Sequence, residues 1–232
     1  MKEATIVIPA FKQEDYLKQC LFSVLRNTQD IDFNVVVVND AHDPESDMGR
    51  YVESLPTANP NIKIVTLPSP NHGHRGATEA GLKYVDGKYL VLMNDDVEIP
   101  AEQPDWLRNL IDFLAVRPEA ASVTPSSYHK DMTVYWIGIT RYPGPHDFLR
   151  VPFGHPSLPK TPVDTLYNNM ACFVTRSDFF LNEWGFNVIP NEVTHYGSDS
   201  HWSFVVTQKL GLKHYCLPGV WVYHYNIFGK RR

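Results

Sequence analysis

The first strand-like run of this chain is not followed by a glycine-rich turn: Thr5-Ile6-Val7-Ile8 leads into Pro9-Ala10-Phe11-Lys12-Gln13. A dinucleotide fingerprint and a Walker A loop both need glycines there, so that backbone amides can approach phosphate. Their absence argues against a dehydrogenase and a P-loop NTPase. A phosphate-bearing ligand would then be neutralised most simply by a divalent metal. Cysteine is scarce too. Cys20, Cys172 and Cys216 are the three among 232 residues, far apart and without a C-x-x-C pair. That excludes a disulfide framework and a zinc ribbon and suits buried, reduced thiols. The longest apolar runs, such as Val35–Val38 and Tyr89–Met93, fall far short of the ~20 residues that span a membrane. Met1-Lys2-Glu3-Ala4-Thr5 has no signal-peptide layout, so a soluble, cytoplasmic protein is expected. Basic charge is not in excess: 21 Lys+Arg against 26 Asp+Glu give a net charge of -5. Such a chain is a poor electrostatic partner for bare nucleic acid. Internal repeats and low-complexity linkers are absent as well.

What is there reads as one globular domain. The 43% hydrophobic content over this length is enough to build a core without staples. The first hundred residues alternate between strand and helix. Thr5–Ile8 is a β-branched run expected to stop at Pro9. Leu17, Cys20, Leu21, Val24 and Leu25 form a helical stripe. Asn34–Val38 suits a strand buried on both faces, Ile62–Leu67 is a third strand, Thr78–Val85 a helix, and Lys88–Met93 a fourth strand. This alternation predicts an α/β fold with a mostly parallel central sheet and ligands bound beyond the carboxyl ends of its strands. Farther on, a helix is predicted at Trp106–Val116, a strand at Ala120–Thr124, a helix at Asp199–Leu210 stopped by Gly211, and a strand at Val220–Tyr223. Between Tyr142 and Pro162, proline is too dense for regular structure. A mobile, acceptor-side loop is expected there.

Chemistry concentrates at strand ends. Asn94-Asp95-Asp96 directly follows the fourth strand, and two adjacent carboxylates there suit a hard cation that bridges phosphate oxygens. A solvated acidic turn would use the same residue types. Asn39-Asp40 ends the Val35–Val38 strand, so two parallel strands would line one crevice with acidic groups.

These motifs together resemble the family-2 glycosyltransferases, inverting enzymes of the GT-A fold. Ile6-Val7-Ile8-Pro9-Ala10-Phe11-Lys12 is similar to the family's opening strand, and Val36-Val37-Val38-Asn39-Asp40-Ala41 to its second strand and turn. Asn71-His72-Gly73 with Ala77 and Gly81 resembles the segment before the metal strand. Leu92-Met93-Asn94-Asp95-Asp96-Val97 resembles the DXD-type motif. Ala171–Arg176, Trp184-Gly185-Phe186-Asn187 and Gly197-Ser198-Asp199 follow in the family's order. The chain departs from the pattern at Ser198, where a Glu is usual, at His201, and at Ala41-His42-Asp43-Pro44.

The resemblance implies a single GT-A domain over residues 1–232, with a nucleotide-binding half at 1–98 and an acceptor-binding half at 99–232. It implies Asp40 as the base-reading carboxylate, with Pro9 and Phe11 lining the nucleotide. Arg75 would lie near the nucleotide, and Asp95 near ribose or a metal-bound water. Asp96 and His224 would hold Mn²⁺ or Mg²⁺, and Asp199 would be the general base. For His224 an aromatic-neighbour role beside Tyr223 and Tyr225, and for Asp199 a helix cap, are the structural alternatives. His72, His74, His129, His146, His155, His195 and His214 are expected to be surface or packing residues. The implied reaction moves a sugar from a nucleotide-sugar donor, a UDP-sugar first among them, to an acceptor hydroxyl. The acceptor is left open: glycan, lipid-linked sugar, protein, small molecule or modified nucleobase. A non-catalytic nucleotide- or glycan-binding module and a sugar-phosphate nucleotidyltransferase are the alternatives.

Overall fold

The computed structural model describes residues 1–40, 42–138, 151–192 and 197–225. Among these described residues ten strands form one sheet. Its first four are β1 (Ala4–Ala10), β2 (Phe33–Asn39), β3 (Ile62–Thr66) and β4 (Tyr89–Met93). They pair in parallel in the order β3-β2-β1-β4. The chain thus lays β2 and β3 on one side of β1, then returns to place β4 on the other. The β1–β4 boundary is a topological switch point, where α/β sheets open a crevice beyond their carboxyl ends.

Strand alternation explains why these runs are apolar throughout. Ile6, Ile8, Val35 and Val37 pack with α1 (Glu14–Asn27), α2 (Asp47–Ala58) and α4 (Trp106–Ala115). Val7, Val36 and Val38 face the opposite layer, with α3 (Gly73–Leu82) and α5 (Ser198–Leu210). Each face buries every second side chain, so no polar alternation is left to see. Gly81 lets α3 sit directly on the sheet. A Cβ there would meet Val7 Cγ1 at 2.6 Å and Val38 Cγ2 at 2.8 Å.

The second half extends the sheet. Its elements are β5 (Val97–Glu98), β6 (Ala120–Tyr128), β7 (Val134–Trp136), β8 (Val163–Thr165), β9 (Cys172–Arg176) and β10 (Lys213–His224). Strand β9 runs antiparallel between β4 and β6, and β10 runs parallel to β6. The carboxyl ends of β1, β2, β4, β6 and β10 therefore share one edge.

Several boundaries differ from the sequence expectation. Pro9 does not stop β1, which continues to Ala10. The β4 ladder ends opposite Val7, so Pro9 lies beyond it and its missing N–H breaks no bond on that side. Helix α2 was not anticipated, because Pro44, Gly49 and Pro56 hid its period. Ser46 caps it by accepting from the Gly49 N–H at 2.9 Å. Helix α3 begins five residues before Thr78, at Gly73. Strands β6 and β10 are longer than their apolar cores. Part of the proline-dense stretch, 142–150, lies outside the described residues, as do His146 and His195. Its described remainder is mostly exposed, with Val151 accepting from Val134 N–H at 2.9 Å and Leu158 buried beside Trp221. All three cysteines are buried thiols. No helix among the described residues is long and apolar enough to cross a membrane.

Candidate functional site

Strand β4 ends in Asn94-Asp95-Asp96, all buried, and the chain then turns straight into β5. That short strand pairs antiparallel with the end of β10, setting Val97 opposite His224. The Tyr225 N–H donates to the Asp96 carbonyl at 3.0 Å and closes the pairing. Sheet register thus brings together two side chains 128 positions apart. Asp96 Oδ1 lies 3.2 Å from His224 Nε2, and both side chains are 1% exposed. The approach lacks hydrogen-bond geometry, and neither ring nitrogen of His224 makes a hydrogen bond.

Whether these groups suit a cation can be judged from their donor set. Among the described residues, no group of three or more His, Cys, Asp or Glu side chains gathers at one point. Small hard cations, however, are commonly bound through one or two protein ligands plus substrate phosphates and water. A carboxylate oxygen and an imidazole nitrogen 3.2 Å apart match adjacent corners of an octahedron with arms of about 2.1 Å, whose edge is about 3 Å. A buried imidazole without hydrogen bonds is otherwise costly. The pair fits a divalent cation completed by a ligand's phosphates.

Around this pair the crevice is built from neighbouring strand ends. Phe11, just after β1, donates its N–H to Asp95 Oδ2 at 3.4 Å. His74 Nε2 meets Asn94 Oδ1 at 3.0 Å and ties α3 to the same turn. The Tyr135 ring, on β7, stands edge-on to His224 with centroids 4.5 Å apart. Burial, together with the charges of Asp96 and Asp199, pushes its hydroxyl up to about 12.

Asp199 stands in the first turn of α5, after Gly197 at φ +80. Its Oδ1 accepts from the Ser200 N–H at 2.8 Å. Burial raises the Asp199 carboxyl above its ordinary 3.8, against the pull of the Ser200, Asp199 and Met170 N–H groups. It is a carboxylate with more proton affinity than usual, held on a rigid helix.

Two expected nucleotide residues are engaged by the protein itself. The Arg75 guanidinium, 9% exposed, donates from Nη1 to the Pro190 carbonyl at 2.7 Å and from Nη2 to the Phe186 carbonyl at 3.1 Å. Its Nε pairs with Glu79 at 2.9 Å. In this arrangement Arg75 clamps the 186–190 segment onto α3. Asp40 is 3% exposed and accepts the His72 N–H on both oxygens, at 2.9 and 3.1 Å. Its Oδ1 also lies 2.8 Å from His72 Nδ1. Pro9 is buried near the end of β1.

Sequence reasoning passed over His72, His74 and Tyr135. His72 lies inside the Asn71-His72-Gly73 motif and His74 directly follows it, so their place at a motif was a usable signal. Tyr135 carries none, because only the β6–β7 pairing brings it to His224. His214 is the packing residue expected: buried, with Nδ1 2.7 Å from Ser122 Oγ and burial lowering it to about 4.

Comparisons with known proteins point one way. The family model described as Glycosyl transferase family 2 matches residues 5–180. Asp199 and His224 lie beyond that span. A teichoic acid poly(glycerol phosphate) polymerase of Staphylococcus epidermidis is 28% identical over 99 residues, 43% of this chain and 13% of that protein. The structure of GalNAc-T7 with UDP, GalNAc and Mn²⁺ superposes with a TM-score of 0.72 at 16% identity, over 97% of this chain and 44% of that one. The mannosyltransferase PcManGT from Pyrobaculum calidifontis, in complex with GDP-Man and Mn²⁺, gives 0.65 at 18% identity, over 97% and 57%. The chain therefore spans well under two thirds of each of these proteins. The fold they share is the GT-A fold.

Proposed function

Because the chain belongs to glycosyl transferase family 2, we propose that it is an inverting, metal-dependent glycosyltransferase using a nucleotide-sugar donor, a UDP-sugar first among the candidates. Residues 1–98 would form the donor side and 99–232 the acceptor side. The observation that carries the reading is the buried Asp96–His224 pair at 3.2 Å, on the crevice edge of the sheet.

Asp96 and His224 would hold Mn²⁺ or Mg²⁺, which when bound supplies Lewis-acid stabilisation of the diphosphate leaving group. Asp95, fixed by the Phe11 N–H, faces the same edge and would orient ribose or a metal-bound water. Pro9, Phe11 and Asp40 would line the nucleoside. Arg75 would keep the 186–190 wall in register with the donor side. Asp199 would accept the proton of the acceptor hydroxyl as that oxygen attacks the anomeric carbon from the face opposite the diphosphate. Its raised proton affinity, caused by burial, favours this role. A single displacement of this kind inverts the anomeric configuration. The acceptor class is unassigned. The complexes of the two structural neighbours with nucleotide or nucleotide sugar and Mn²⁺ support the donor and metal parts of the reading.

The test is a nucleotide-sugar panel with Mn²⁺, with the product anomer read by NMR. Turnover of a donor with inversion, lost in excess chelator and in Asp96→Ala, is expected. Full turnover in chelator would sink the metal reading, and binding without any turnover would leave a nucleotide-binding module.

A further inference from the structure

We infer that His72, held in one tautomer by Asp40, reads the nucleobase of the donor and selects bases that present an imino N–H. This deepens the donor reading above and rests on it. An ionised carboxylate can only accept hydrogen bonds. Asp40 Oδ1, 2.8 Å from His72 Nδ1, therefore fixes the ring proton on Nδ1. In the neutral imidazole the other nitrogen, Nε2, must then be a lone-pair acceptor.

Asp40 itself is poorly placed to be the outermost reader. It is 3% exposed, and both of its oxygens already accept the His72 N–H, at 2.9 and 3.1 Å. His72 is the exposed partner, with its side chain 38% accessible. Among the described residues no hydrogen bond reaches Nε2. Asp40 directly follows β2, one strand over from Phe11 at the end of β1. The unoccupied acceptor therefore sits at the rim of the crevice proposed to hold the nucleoside.

An acceptor at this point discriminates by chemistry. Uracil carries a proton on N3 and guanine on N1, whereas cytosine N3 and adenine N1 are lone pairs. A base of the second kind would set acceptor against acceptor. Uridine and guanosine diphosphates should therefore bind more tightly than their cytidine and adenosine counterparts. A mismatched hydrogen bond at a half-exposed site corresponds to about tenfold in affinity.

Asp40→Asn turns this into a sharp test. With the amide oxygen in the Oδ2 place, where the His72 backbone N–H is nearer at 2.9 Å, the NH₂ takes the Oδ1 place and donates to Nδ1. The ring proton then moves to Nε2, and the acceptor becomes a donor. A mere turn cap would lose nothing chemical in this change.

The experiment measures dissociation constants of UDP, GDP, CDP and ADP by calorimetry, with Mn²⁺ at pH 8, for the native chain, Asp40→Asn and His72→Phe. Expected are a UDP-over-CDP preference of about tenfold in the native chain, its reversal in Asp40→Asn, and its collapse towards unity in His72→Phe. GDP ahead of UDP would identify guanine as the base and still support the inference. Nitrogen-15 spectra of His72 in the native chain supply a readout independent of the variants' folding, with a protonated Nδ1 and a bare Nε2 expected. A proton on Nε2, equal binding of all four nucleotides, or an unchanged UDP:CDP ratio in Asp40→Asn would overturn it. If transfer activity persists alongside any of those results, the glycosyltransferase reading stands and only the role of His72 falls. If no nucleotide binds at all, both fall.

Discussion

Replacing Asp199 by Asn separates a catalytic base from a helix cap with little change of shape. The Asp199 oxygen accepts from the Ser200 N–H at 2.8 Å, and an amide oxygen can do the same. The bond to this first-turn N–H is therefore retained. Burial raises the native carboxyl above 3.8. For a carboxyl with a raised pKa the folded state binds the proton more tightly than the unfolded chain. Its favourable contribution is present at low pH and is lost as pH rises through the folded pKa. At neutral pH Asp199→Asn should therefore unfold at a denaturant midpoint equal to or slightly above that of the native protein. Catalysis should move the other way. Removing a general base costs about 10²–10⁴-fold in rate, or about 3–5 kcal/mol of barrier. Native activity should also fall towards acid pH, with a limb set by the raised Asp199 pKa and above the ordinary carboxylate range. The assay is the transfer rate against pH for both proteins, beside nucleotide affinity. Near-normal transfer in Asp199→Asn, or an acid limb that survives the substitution, would refute the argument and assign Asp199 to capping.

Other substitutions probe other joints. Asp96→Asn and His224→Ala should each weaken Mn²⁺ binding in the presence of nucleoside diphosphate by at least about tenfold, read by water-proton relaxation. Unchanged relaxation in both would exclude the pair as ligands. Gly81→Ala places a methyl 2.6 Å from Val7 Cγ1 and should cost about 1–3 kcal/mol by urea unfolding. No loss would mean that α3 is not seated as described. Arg75→Met leaves the Phe186 and Pro190 carbonyls without their donor and should cost about 1–3 kcal/mol of stability. It should lower transfer while UDP affinity holds, and a selective loss of UDP affinity would return Arg75 to the nucleotide.

Legibility in the sequence followed contact distance. Val35–Val38 and Tyr89–Met93 announce themselves because burial on both faces makes a strand wholly apolar. Asp40 and the Asn94–Asp96 turn could be placed because each immediately follows such a strand. The Asp96–His224 pairing follows from the β5–β10 register, which no local pattern encodes, and only the family resemblance singled out His224. Arg75 shows the opposite limit. A basic residue near a motif looks available in one dimension, yet its two Nη groups donate to backbone carbonyls at 186–190, which carry no side-chain signature. Helix α2 was hidden because Pro44 stands just outside it while Gly49 and Pro56 are tolerated within it.

The pairing of β5 with the end of β10 also has a consequence in time. Strands β1 to β4 and the helices between them are contiguous in the first hundred residues, so that layer can assemble while the chain is still being made. The second partner of Asp96 arrives only with residue 224, after β10 has settled beside β6 and reached back to Val97. If Asp96 and His224 hold the cation as proposed, a chain that has not yet paired β5 with β10 would carry only one of these two ligands. Cation binding would then be a late event in the life of the molecule, reserved for chains that have completed this long-range strand pairing.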